Sequence, residues 1–77
     1  MKHLNEIEEN TKARIVGFEE GSEKYRSKLF SLGLSRGSEL TLRRVAPLGD
    51  PVEVEVRGGR ASLRKNEARV ILVEEVD

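Results

Sequence analysis

The chain is 77 residues long and sets 14 Lys and Arg against 14 Asp and Glu, so its formal net charge is zero. A length of this order fits one domain with a modest core, burying only about 60% of its unfolded surface, and leaves little room for a deep active site. Balanced charge argues against a dedicated nucleic-acid binder and leaves self-association open; the lack of cysteine excludes disulfides, thiol redox chemistry and thiolate metal sites.

The chain begins MKHLNEIEEN, polar and acidic, with no apolar run of a signal peptide. No segment approaches the roughly 18 apolar residues of a membrane span. The expectation is a soluble cytoplasmic protein without direct membrane insertion. Leu4 and Ile7 read as a short apolar clip against the body. Lys12–Phe18, KARIVGF, reads as a strand, and Glu19–Gly21 breaks it.

Ser22–Leu32, SEKYRSKLFSL, is the one good helix. Ser22 suits the N-cap and Glu23 the first turn. Tyr25, Leu29 and Leu32 fall at i, i+4 and i+7 and make an apolar stripe. Gly33 stands where a left-handed C-cap belongs, with Leu34 folding back on the last turn. Phe30 lies off the stripe: it either packs under a neighbouring loop or exposes its ring.

Ser35–Ser38 reads as a turn, with Gly37 supplying backbone freedom. Glu39–Val45, ELTLRRV, is a strand whose inward phase slips by one residue at Arg43–Arg44, which a β-bulge explains. Pro47 and Pro51 then stiffen the loop VAPLGDP around Leu48 and Gly49. Leu48 either plugs an open end of the fold or faces a partner. Val52–Arg57 alternates as a strand. Gly58–Gly59 reads as the turn of a hairpin, pairing Val56 with Ala61, Val54 with Leu63 and Glu53 with Arg64. Lys65–Ala68 is a single helical turn, Arg69–Val73 the last strand, and EEVD a solvated tail. The total is five strands in a mainly β chain, with one α-helix between strands 1 and 2. A small bent barrel under that helix is the economical closure, because closure hides sheet edges.

The stretch KLFSLGLSRGSELTLRRVAPLGDPVEVEVRGGRASLRKNEARVILVE resembles ferrous iron transport protein A. The motifs that carry the resemblance are Leu32–Leu34 (LGL), Gly37, Ala46–Pro51 (APLGDP), Val54–Gly58 (VEVRG), Ser62–Lys65 (SLRK), Ala68 and a final β-branched strand. It runs from about residue 12 to residue 74. The chain departs from the family at Arg36, where a proline is usual. The resemblance implies a single Src-homology-3-like (SH3-like) domain over residues 1–77. It also implies a cytoplasmic accessory protein of bacterial ferrous iron uptake, whose partner is ferrous iron transport protein B, a permease with a GTP-binding domain. The family is similar, too, to the C-terminal domain of iron-dependent repressors, but no helix-turn-helix segment is present here.

Other chemistry is poorly supplied. With the sole histidine, His3, near the N-terminus, no nucleophile, base and orienting group can be assembled, so no enzyme and no cofactor are expected. His3 with Glu6, or Glu8 with Glu9, could hold a hard ion weakly, but no tight iron site is expected. One Tyr, two Phe and no Trp cannot line a polyproline groove. Arg43, Arg44, Arg57, Arg60, Arg64 and Lys65 suggest a basic strip. Glu53 and Glu55 lie among them and stacking aromatics are missing, which argues against nucleic acid. A nucleic-acid-binding barrel or a repressor-type regulatory module is the alternative reading. The favoured one is a protein-binding adaptor whose surface joins the helix (Leu29, Phe30) to the loop (Pro47, Leu48, Asp50). Leu29 enters only for its adjacency, since its stripe position equally suits the core.

Overall fold

Alternating apolar residues build one antiparallel sheet, which the computed structural model describes over residues 1–76. Its strands are β1 (Lys2–His3), β2 (Thr11–Phe18), β3 (Glu39–Val45), β4 (Val52–Val56), β5 (Gly59–Leu63) and β6 (Ile71–Glu75). A 3-10 turn, Leu4–Glu6, follows β1; helix α1 (Glu23–Ser31) joins β2 to β3; and a short α2 (Lys65–Ala68) joins β5 to β6. The spatial order is β1-β6-β2-β3-β4-β5.

Two expectations about architecture are corrected here. The sheet has six strands rather than five, so α1 lies between the second and third strands. Among the described residues the sheet is also open: β1 and β5 stand at its two edges without pairing with each other, and no barrel closes. The extra strand is only two residues long, too short for any period-2 signal, and is placed by pairing Lys2 with Val73 and His3 with Leu72.

One face of the sheet makes the core. Ala13 and Ile15, Leu40 and Leu42, Val52, Val54 and Val56, Leu63, Ile71 and Val73 are buried in a single cluster with Leu29, Leu34 and Ala68. Leu4 (0% exposed) and Ile7 (5%) join it, so the N-terminal clip forms as expected. A nine-residue helix cannot cover six strands, so the sheet bends to share its inner face with itself. Two bulges assist the bend. One sits at Arg43, between the Leu42–Val54 and Arg44–Glu53 pairs, and accounts for the slipped phase of β3. The other sits at Val16, between Ile15 and Gly17, and has no sequence signature.

Helix α1 ends as its sequence requires. Gly33 has φ 86°, and the backbone N–H groups of Gly33 and Leu34 donate to Phe30 O (3.0 Å) and Leu29 O (2.9 Å). This Schellman pattern turns Leu34 back into the core against Leu29. In the following turn Ser38 N donates to Ser35 O at 2.9 Å, with Gly37 at φ 92°. The turn thus forms with Arg36 where the family favours proline.

The hairpin register differs from expectation by two residues. The turn is Arg57–Gly58, both at positive φ (47° and 81°), and Gly59 already pairs with Val56. Val54 then meets Ala61, Val52 meets Leu63 and Glu53 meets Ser62. The expected register would set Val52 against Lys65. The observed one pairs two buried residues and frees Lys65 to begin α2. A slip of two leaves the inward and outward faces unchanged, so alternation alone cannot choose between the registers. The last strand is likewise displaced, running Ile71–Glu75, so Glu74 and Glu75 belong to β6 rather than to a solvated tail. Asp77, the last residue of that expected tail, lies outside the described residues.

Candidate functional site

The loop between β3 and β4 begins as a turn: Gly49 N donates to Ala46 O at 2.7 Å across Pro47 and Leu48. Pro47 sets the φ such a turn needs at its first central position. Gly49 adopts φ 84°, open to glycine at no steric cost. Ala46 N donates to Pro51 O at 3.1 Å and closes the loop base. On the far side, Asp50 Oδ1 accepts the N–H of Lys65 at 3.0 Å. That N–H is the first of α2 and would otherwise lack an intrahelical partner. Asp50 therefore pins the loop to α2. Leu48 stands at the tip and is 86% exposed. It faces solvent and does not plug an end of the fold.

On α1 the helical period separates two neighbours. Leu29 is 1% exposed and belongs to the core, whereas Phe30 is 72% exposed. Leu29 is thereby removed from the expected partner surface: its stripe position puts it under the helix. Tyr25 and Leu32 pack against the same core. Phe30 does not pack under a loop.

Phe30 and Leu48 stand on different elements, α1 and the loop between β3 and β4. What links α1 to the loop passes through Glu67 on α2. Glu67 is 6% exposed. It accepts from Lys28 Nζ at both oxygens (3.1 and 2.9 Å) and from the backbone N–H of Arg64 at 2.8 Å. Burial pushes its carboxyl pKa up, but Lys28 and the Arg64 N–H outweigh this and hold it below its usual value. Lys28 and Phe30 are two residues apart, about 200° around the helix, so Phe30 points away from this clamp. The result is two separate exposed apolar points on one braced framework. Sequence reading missed Glu67. Its only sequence signal is a glutamate three residues after the N-cap position, which is held by Arg64 instead of the usual Ser or Thr.

The basic strip is partly neutralised. Arg43 Nε lies 2.7 Å from Glu55, and Arg60 lies 3.8 Å from Glu53. At the N-terminus, His3 Nδ1 is 3.1 Å from Glu6 and Nε2 is 3.6 Å from Glu19. Glu6 accepts the His3 backbone N–H at 2.7 Å, which lowers its pKa. Glu8 and Glu9 do not join this group; Glu9 accepts the N–H of Val45 at 3.0 Å. Among the described residues no helix is long and apolar enough to cross a membrane.

Residues 2–75 match the FeoA domain family. The chain belongs to the FeoA family. Its fold is similar to the FeoA-like protein of Clostridium acetobutylicum (41% identity, TM-score 0.84, covering 97% of this chain and 86% of that one). It is similar as well to the FeoA protein of Chlorobium tepidum (36% identity, TM-score 0.82, 97% of this chain and 70% of that one). A third similar structure is the FeoA of Stenotrophomonas maltophilia in complex with zinc (26% identity, TM-score 0.79, 96% and 91% covered). That protein is described as a prokaryotic SH3 domain protein and a candidate activating factor of ferrous iron transport. FeoA-family domains are non-catalytic accessory modules of bacterial ferrous iron transport, and membership assigns this chain to that class. The resemblance carried by LGL, APLGDP and SLRK is thus confirmed at the level of the family.

Proposed function

We propose that this chain is a cytoplasmic regulator that docks on the ferrous iron permease, ferrous iron transport protein B, and biases its conformation. The carrying observation is the family match across residues 2–75, nearly the whole chain. Little of the domain is left over for a separate activity. The docking surface we propose consists of Leu48, presented by Pro47 and anchored by Asp50, together with Phe30 on α1. Large apolar side chains this exposed on a small soluble domain cost solubility and are the informative exceptions to burial. A loop residue held by a rigid scaffold is also a common carrier of recognition. Preorganisation by the Asp50 bond cuts the entropy lost when Leu48 is fixed by a partner. Docking need not change the rate of nucleotide hydrolysis; it needs only different affinities for two permease conformations.

The test is a titration of the wild-type chain into the purified permease in detergent, and separately into its isolated GTP-binding domain. Saturable association on the order of micromolar with the intact permease is expected. Absence of association with both preparations would overturn the reading.

A further inference from the structure

The two free edges of the sheet are unequal. β1 is two residues long, whereas β5 runs five residues, Gly59–Leu63. Substantial packing of β5 is confined to β4. Val56 and Gly59 close the two-residue turn, so they form a hydrogen-bonded pair, as do Val54–Ala61 and Val52–Leu63 by alternation. Arg60 and Ser62 then aim their N–H and C=O groups away from β4. Among the described residues no other backbone group takes these up, and both residues are exposed.

Nothing protects this edge in the usual ways. Gly59–Leu63 contains no proline and no lysine, and its pairing with β4 runs without a bulge. Its one charge, Arg60, is offset by Glu53 at 3.8 Å. We infer that β5 is a self-association edge on which a second copy of this chain adds antiparallel, with Ala61 on the two-fold axis.

The register follows from charge and from hydrogen bonding. Centring the axis on Arg60 would oppose two arginines, which is destabilising across a strand pair. Centring it on Ser62 would need the carbonyl of Arg64, which already accepts from Glu67 N and Ala68 N. Centring it on Ala61 pairs Arg60 with Ser62 of the second copy, twice over. Each pair exchanges both backbone bonds, and within β5 no like charges stand directly opposite each other. The two Ala61 residues then face each other as a non-hydrogen-bonded pair, where Cα atoms approach to about 4.5 Å. The chain's zero net charge offers no long-range repulsion against such pairing. An edge of five residues buries far less than the roughly 1,000 Å² of a stable interface, so the dimer is weak, with a dissociation constant on the order of 0.1–1 mM. This inference is independent of permease docking.

The experiment is sedimentation velocity over rising concentration, paired with disulfide trapping. The chain has no native cysteine, so a single introduced thiol reports one position. Wild type is expected to pass from monomer toward dimer near millimolar concentration. Ser62→Pro removes an outward N–H without touching the β4 ladder, and is expected to weaken the dimer by at least about tenfold, the loss of a shared pair of hydrogen bonds. Ala61→Cys should cross-link on mild oxidation, while Gly59→Cys should not. If Ser62→Pro fails to fold, the two cysteine variants still decide. A wild type that stays monomeric to millimolar concentration, or equal cross-linking at positions 59 and 61, overturns the inference.

Discussion

The two ends of β4 solve the same problem, reversing the chain between antiparallel strands, by opposite means. At one end Arg57–Gly58 is a minimal turn in which both residues hold positive φ (47° and 81°). At the other, residues 46–51 carry two prolines and a side-chain cap on α2. They also carry a leucine that is 86% exposed. The first spends its residues on geometry alone. The second spends more chain than reversal needs and uses it to hold one apolar side chain outward. The difference separates a connection that serves the fold from one that can serve a partner.

The contrast can be broken at its base. Leu63 pairs with Val52 and is 1% exposed, so it anchors the register on which the tight turn depends. Leu63→Ala should cost about 2–5 kcal/mol of unfolding free energy in denaturant titration. A cost below that range would mean that the hairpin, not the core pair, sets the register.

Next in size is the clamp that braces the loop side. Glu67→Ala should cost about 1–3 kcal/mol, less than the roughly 3–5 kcal/mol of a fully buried broken pair, because Lys28 is half exposed and can return to water. The sign with pH follows from the lowered carboxyl pKa. The stabilisation is complete above the unfolded-state value, near 4.5, and is lost as pH falls through the folded value. Thermal melts from neutral pH into the acid range should therefore converge between wild type and Glu67→Gln. A constant gap would contradict the role of the ionised group.

At the tight turn, Gly58→Ala should cost about 1–2 kcal/mol, because φ of 81° is left-handed backbone and no atom crowds the added Cβ. Asp50→Ala should cost about 1 kcal/mol, the usual worth of a cap at a helix start. That substitution should also raise hydrogen exchange across residues 46–51 while leaving 57–58 unchanged. An equal rise at both connections would erase the distinction between them.

The sequence displayed some of this and hid the rest for physical reasons. The slip at Arg43–Arg44, the cap at Gly33–Leu34 and the clip of Leu4 and Ile7 each leave a local pattern, and each is found. The hairpin register was hidden because moving the turn by one residue, from Gly58–Gly59 to Arg57–Gly58, shifts the pairing by two, which conserves the faces. The ends of β6 were hidden because RVILV is apolar on both sides, so no alternation marks a boundary. β1 is too short to have a period. The open edge could not be inferred from strand count, since closure depends on how far the sheet bends. For the candidate site, Leu48 was visible as an apolar residue between two prolines. That Asp50 would cap α2, and that Glu67 would tie α2 to α1, depended on elements brought together across 15 and 39 residues.

The central claim is that exposed apolar residues on a braced frame dock the permease. Its most direct measurement is the affinity of Phe30→Asp, Leu48→Asp and the double variant for the intact permease, beside wild type. Each position is exposed, so each variant should keep its stability within about 0.5 kcal/mol. The single changes should weaken binding by about tenfold or more, as centrally placed apolar contacts do, and the double variant further. Folded variants that all bind as wild type does would contradict the account.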